Sequence, residues 1–345
     1  MDLYIDKIII HELEKEADSG EVQLFLSDQL LPVNNHSEDL IRTLNDTFVS
    51  KNDLLHGSLS TPEDALFPGY LQELADNEFA EDAFVDFTKN TMRALQETLQ
   101  GLIGAKGGYL VFSAYEHFGA KILGIFLVRD KEGVVFKRDT EGQTFNLQTT
   151  MHLDTERLAM ACRITLDKFQ QNSGRFVDLI KFAKSQREIS EYFTNWIGLD
   201  QPQSSKSITQ TFMHVVDKLP LPIDEDTGQP MEEEQFHHQV MAYAVESPQK
   251  TVELDKFEQH FYGEENVVKN YIQENHIELD NEIRLDKGTM KKHYTYRASA
   301  EGISLSFSKN DYASGKVSIK GDNLVIDCPQ LIEKIMDMLE DDGTW

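Results

Sequence analysis

The stretch GAKGGYLVFSAYEHFGAKILGIFLVRD, from Gly104 to Asp130, decides how this chain is read. Its opening sets a lysine among three glycines ahead of an apolar run, which raises the question of a phosphate-binding loop. Such a loop opens onto a helix, whose free amides and dipole hold the phosphates, and carries Ser or Thr after the lysine. Here Gly107 follows Lys106, and YLVFSAY and KILGIFLVRD read as strands. The glycines therefore mark a helix stop and a strand entry.

Outward from that block the pattern alternates between sheet and helix. On the N-terminal side, Leu3 to Leu13 and Glu21 to Leu26 form the arms of a hairpin, Ser37 caps a helix bearing Leu40, Ile41, Leu44 and Phe48, and a loop holds Pro62 and Pro68. A second helix, Ala80 to Gln100, places Phe84, Phe87, Met92, Leu95 and Leu99 on one face. On the C-terminal side, Asp130 to Gly133 reads as a turn before VVFK. LAMACRITL alternates as a strand with Cys162 on its buried side, and helical periodicity returns in RFVDLIKFAK and EISEYFTNWIGL. QPQSSKS, 201–207, is polar and reads as a linker. Beyond it come helices at Ile208 to Leu219, Glu232 to Val245, Leu254 to Tyr262 and Val267 to Glu274. ISLSFSK, KVSIKG and LVIDC should form a small sheet, and an amphipathic helix, Pro329 to Glu340, ends the pattern.

The expected fold is α+β in two domains: residues 1–200 with a mixed sheet and helices, a linker at 201–207, and a mainly helical domain at 208–345 closed by a small antiparallel sheet. The final helix could pack within its own domain or against a second copy, and a homodimer is expected. The two cysteines, Cys162 and Cys328, cannot build a disulfide framework, and no apolar run reaches the length of a membrane helix. A soluble cytoplasmic protein is the expectation.

The formal charge is -27, so the molecule as a whole repels nucleic acid and anionic membrane. That charge is uneven: residues 1–100 hold 6 Lys and Arg against 21 Asp and Glu, whereas residues 284–320 hold 8 against 3. In the C-terminal island Lys291, Lys292, Arg297, Lys309, Lys316 and Lys320 interleave with Tyr294 and Tyr296, the mixture a surface needs to neutralise phosphates and stack bases. The competing reading is a small sheet whose edges are guarded by lysines. A weaker stripe, Lys181, Lys184 and Arg187 preceded by Arg175, reads better as a solvated helix face.

Catalytic and metal readings are poor. DEDTGQPMEEE, Asp224 to Glu234, has its glycine fifth where a calcium loop needs it sixth, and adjacent His237 and His238 lack the four-residue spacing of a zinc pair. Ser113 and His117, with Glu116 or Asp130 as orienter, lack a nucleophile elbow. Cys162 reads as a buried hydrophobe. Neither metal nor cofactor is expected.

The chain resembles, over nearly its whole length, the bacterial nucleoid-associated protein family of the NdpA/YejK type. The resemblance rests on IDKIIIHEL, GGYLVFSAYEHFGAKILGIFLVRD, LDTERLAMACRITL, GRFVDLIKFAKSQREISEYFTNWIGL, EGISLSF, VSIKGDNLVID and the closing helix. It implies a nucleoid location, association with DNA, no enzymatic activity, and a protein partner such as a topoisomerase. The basic run that family members can carry near RFVDLIKFAKSQRE is diluted here to four residues. The function so expected is weak, sequence-independent DNA binding through the C-terminal face; the alternative is an acidic adaptor brought to the nucleoid by a basic partner.

Overall fold

The structure, a computed structural model, describes residues 3–341 apart from 53, 140, 141, 143, 181–186, 225, 226, 249, 250, 264 and 265. It divides into two compact units, residues 1–207 and 208–345.

The first unit contains strands β1 (Leu3–Glu14), β2 (Gln23–Phe25), β3 (Leu54–Leu59), β4 (Gly108–His117), β5 (Ala120–Val128), β6 (Asp130–Asp139), β7 (Thr144–Leu153), β8 (Met160–Thr165), β9 (Val177–Ile180) and β10 (Leu199–Ser204). Its helices are α1 (Asn35–Ser50), α2 (Leu66–Asp76), α3 (Glu81–Leu99), α4 (Leu166–Gln171) and α5 (Arg187–Ile197). Eight strands join in the order β10-β3-β9-β8-β5-β4-β1-β2. The pairing is antiparallel at each described junction of this sheet, and a tight hairpin joins β4 to β5.

Both faces of the sheet are covered. Leu110, Phe112, Leu123, Ile125 and Cys162 pack with Phe67 and Leu71 of α2, Phe84 and Leu95 of α3, and Trp196 of α5. Val111, Tyr115, Ile122 and Phe126 pack on the other side with Ile41, Leu44 and Phe48 of α1. A strand buried on both faces carries apolar residues at successive positions, which is why β4 and β5 read as near-continuous runs.

Close packing requires the two glycines at the entry of β4. A Cβ on Gly107 would lie 1.9 Å from the Leu13 carbonyl oxygen, and one on Gly108 2.4 Å from that of Val128. Arg129 donates from Nε to the Gly107 carbonyl at 3.0 Å and from Nη2 to that of Lys106 at 2.9 Å. The loop is a tightly packed entrance to a central strand.

Several local expectations are corrected. Asn34, not Ser37, is the N-cap of α1; Ser37 occupies the third helical position and completes a capping box. Pro68 lies inside α2, where the first turn tolerates it, and Asp130 opens β6 instead of a turn. RFVDLIK contributes β9, held between β8 and β3, and the KFAKSQ portion lies outside the described residues. The stretch taken for a linker is β10 followed by a helix start at Ser205: Leu199 pairs with Leu59 and Ser204 with Leu55, with a register shift between Asp200 and Gln203 that accommodates Pro202.

The second unit holds α6 (Ser205–Val216, whose first turn belongs to the first unit), α7 (Glu233–Glu246), β11 (Thr251–Glu253), α8 (Leu254–Tyr262), α9 (Val267–Glu274), β12 (Glu282–Arg284), α10 (Lys287–Tyr294), β13 (Thr295–Ala300), β14 (Ile303–Ser308), α11 (Lys309–Ala313), β15 (Val317–Lys320), β16 (Asn323–Ile326) and α12 (Pro329–Asp341). Phe212, Phe236, Val240, Phe257 and Ile283 lead its core. The single small sheet expected here is instead three two-stranded ribbons, β11-β12, β13-β14 and β15-β16, since ISLSFSK pairs with the preceding TYRASA. Along α12, Leu331, Ile332, Ile335 and Met338 are 42–67% exposed, so its own unit does not cover that stripe.

Candidate nucleic-acid interface

The C-terminal island is organised by α10. Asp286 caps it, accepting from the Thr289 amide at 2.7 Å and the Thr289 hydroxyl at 2.6 Å, while the Asp286 amide donates to Thr209 Oγ1 at 2.8 Å. Met290 anchors the helix in the core. Lys291, Lys292 and His293 fill the last turn, where the helix dipole favours cations. The basic run thus has a structural cause of its own, besides any ligand.

An open cleft of about 560 Å³ lies beside α10, lined by Lys291, Tyr294 and Lys309 but also by Asp217, Glu233 and Glu234. Asp217 holds two of the three histidines that line this cleft, His293 Nε2 at 2.7 Å and His237 Nε2 at 3.6 Å. The His237 ring stacks on Tyr294 with centroids 4.3 Å apart. Burial lowers the His237 pKa, and the Asp217 carboxylate opposes that shift. Burial also raises the Tyr294 phenol, whose oxygen is enclosed without a hydrogen-bond partner among the described residues. Tyr294 is therefore a wall of the cleft and not an open platform for a base. In the sequence His237 stands out only beside His238, as a metal-ligand candidate; Asp217 and His293, 76 residues apart, give no local signal.

The remaining members of the island are dispersed. Tyr296 pairs across the ribbon with Phe307 and shares its face with Leu305 and Ile303, whereas Arg297 projects from the opposite face among Ser304, Ser306 and Ser308. Tyr296 is 46% exposed and leans on Phe307 and Tyr312. Lys316 is bound to Asp311 at 3.1 Å, which raises its pKa. Lys320 sits at the turn of β15-β16, opposite Asn323. Lys292, Arg297, Lys309 and Lys320 are exposed. Of the weaker stripe, Lys181 and Lys184 lie outside the described residues, Arg187 opens α5, and Arg175 is half-buried ahead of β9.

The structure does not bring the Ser113 and His117 pair into a nucleophile geometry. Ser113 is fully buried in β4 and donates to the Lys7 carbonyl at 2.9 Å. Asp224 spends its carboxylate on a local turn, accepting from the Thr227 amide at 2.9 Å. A serine, histidine and aspartate do align elsewhere: His56 Nδ1 is 2.6 Å from Asp178 Oδ1, and Nε2 is 2.8 Å from Ser205 Oγ. Ser205 has no exposed surface and its oxygen also accepts from the Leu54 amide at 3.1 Å, so this relay ties β3, β9 and the start of α6 together. A nucleophile has to reach a substrate, and this one is enclosed.

Comparison with known proteins supplies the class first. Curated relatives from Pseudomonas savastanoi pv. phaseolicola and Pseudomonas entomophila, each 26% identical to this chain, are both called nucleoid-associated proteins; the alignments cover 91% of this chain and 95% and 94% of theirs. A relative from Metapseudomonas resinovorans is 26% identical, covers 89% of this chain and 92% of its own length, and carries the same description. The family model described as nucleoid-associated protein YejK matches residues 9–326, and the chain belongs to that family. Among the described residues no helix is long and apolar enough to cross a membrane.

Proposed function

We propose that this chain is a non-enzymatic cytoplasmic protein of the nucleoid that acts chiefly as an acidic adaptor, attached to the chromosome through a basic protein partner such as a topoisomerase. The observation that carries this reading is the mixed sign of the α10 cleft. Where Lys291 and Lys309 come together they meet Asp217, Glu233 and Glu234, so they present no continuous cationic track for a phosphate backbone. The acidic first 100 residues add a surface that attracts a basic partner over distance.

A second reading, weak sequence-independent DNA contact at the C-terminal face, is favoured by the exposed Lys292, Arg297 and Lys320. Fluorescence anisotropy with labelled single- and double-stranded DNA, from low to physiological salt, separates the two. The adaptor predicts no binding even at low salt, together with capture of a purified basic partner. Salt-sensitive binding that disappears in Lys291→Glu/Lys292→Glu would replace it with direct contact.

A further inference from the structure

The β6-β7 ribbon forms its own two-stranded sheet, ten residues to a strand, apart from the eight-stranded one. Its register sorts the side chains by face. Asp130/Leu153, Glu132/Met151, Val134/Thr149, Phe136/Leu147 and Arg138/Phe145 lie on one face; the other is mostly polar, with Val135 its one large apolar residue. On the first face Val134, Phe136, Phe145, Leu147 and Met151 are 56–74% exposed. An isolated two-stranded ribbon is at best marginal in water, and an apolar face of this kind calls for a cover.

We propose that the cover is the same face of a second copy of this chain, the two ribbons stacked with the tip of each over the base of the other. The charges select that arrangement. A two-fold axis in the plane of contact, perpendicular to the strands and through the Val134/Thr149 rung, lays Arg138 at the tip over Asp130 at the partner's base. Phe145 then faces Leu153, Leu147 faces Met151, Phe136 lies against Glu132, and Val134 meets its own counterpart. An axis along the strands would instead gather both Arg138 side chains at one end and the Asp130 and Glu132 carboxylates at the other. DNA does not suit this face, which carries one cation and two carboxylates.

The five exposed side chains offer on the order of 500 Å² of apolar surface per copy. That is short of the roughly 800 Å² per partner of a standard interface, so the dimer is reversible and concentration-dependent. The proposal stands apart from the nucleoid reading and survives its failure.

The test is sedimentation velocity of the full chain across the micromolar range. A monomer-dimer equilibrium is expected that Phe136→Glu abolishes and Arg138→Glu weakens by about tenfold or more. The decisive variant is the swap Asp130→Arg/Arg138→Glu, which inverts both charges and should restore wild-type association. Mixing the two single charge variants should also restore it, because each then offers what the other lacks. A chain monomeric at every concentration, a dimer indifferent to Phe136→Glu, or a swap no better than Arg138→Glu alone would each overturn the proposal.

Discussion

His11 shows how a single buried side chain ties this fold to pH. Its Nδ1 accepts from the Ser27 amide at 3.1 Å, so Nε2 carries the proton and donates to Thr88 Oγ1 at 2.9 Å; the Thr88 hydroxyl in turn donates to the Val85 carbonyl. Burial, helped by the Lys89 charge, pushes His11 down to about 4, and burial does the same to His117. Both are neutral when folded, whereas the unfolded chain takes up protons near pH 6.5. Stability should therefore fall as pH drops from about 6.5 to about 4, by on the order of 2–3 kcal/mol per histidine, and level off below. Urea titrations across that range should show a shallower pH slope for His11→Gln than for wild type. Gly107 gives a second residue-scale prediction: Gly107→Ala drives a methyl into the Leu13 carbonyl and should destabilise by more than about 2 kcal/mol, seen as a lowered denaturation midpoint.

At the scale of elements, legibility in the sequence followed how locally each element is determined. The α3 helix, with its wide apolar stripe, and the β4-β5 pair, with the glycines before it, could be read directly, as could α8 and α9. RFVDLIK misled because Phe176, Leu179 and Ile180 have helical spacing; neighbours on both sides, fixed by distant sequence, make Val177–Ile180 a strand. QPQSSKS misled because an edge strand need not be apolar and because Pro202 sits where the register shifts. The candidate interface was legible as composition and not as geometry. The sequence places Tyr296 beside Arg297, and the ribbon sends them to opposite faces. Capping offers a local test: Asn34 accepts from the His36 and Ser37 amides, so Asn34→Ala should remove about 1 kcal/mol of stability, measured by thermal melting.

For the whole molecule, a charge of -27 on 345 residues means that compactness is opposed by self-repulsion. Screening relieves it, so the melting temperature should rise between low and physiological ionic strength, whereas any direct hold on DNA would loosen over the same interval. Opposite responses to one variable let a single salt series distinguish folding from binding.

The two borders of the eight-stranded sheet have a consequence of their own. One ends in β2, three residues long, and the other in β10, where Pro202 removes a donor and the register is broken. An open border is a template onto which further chains can add strand by strand, and both borders here are blunted. Crowded copies of this protein are therefore not joined edge to edge through this sheet.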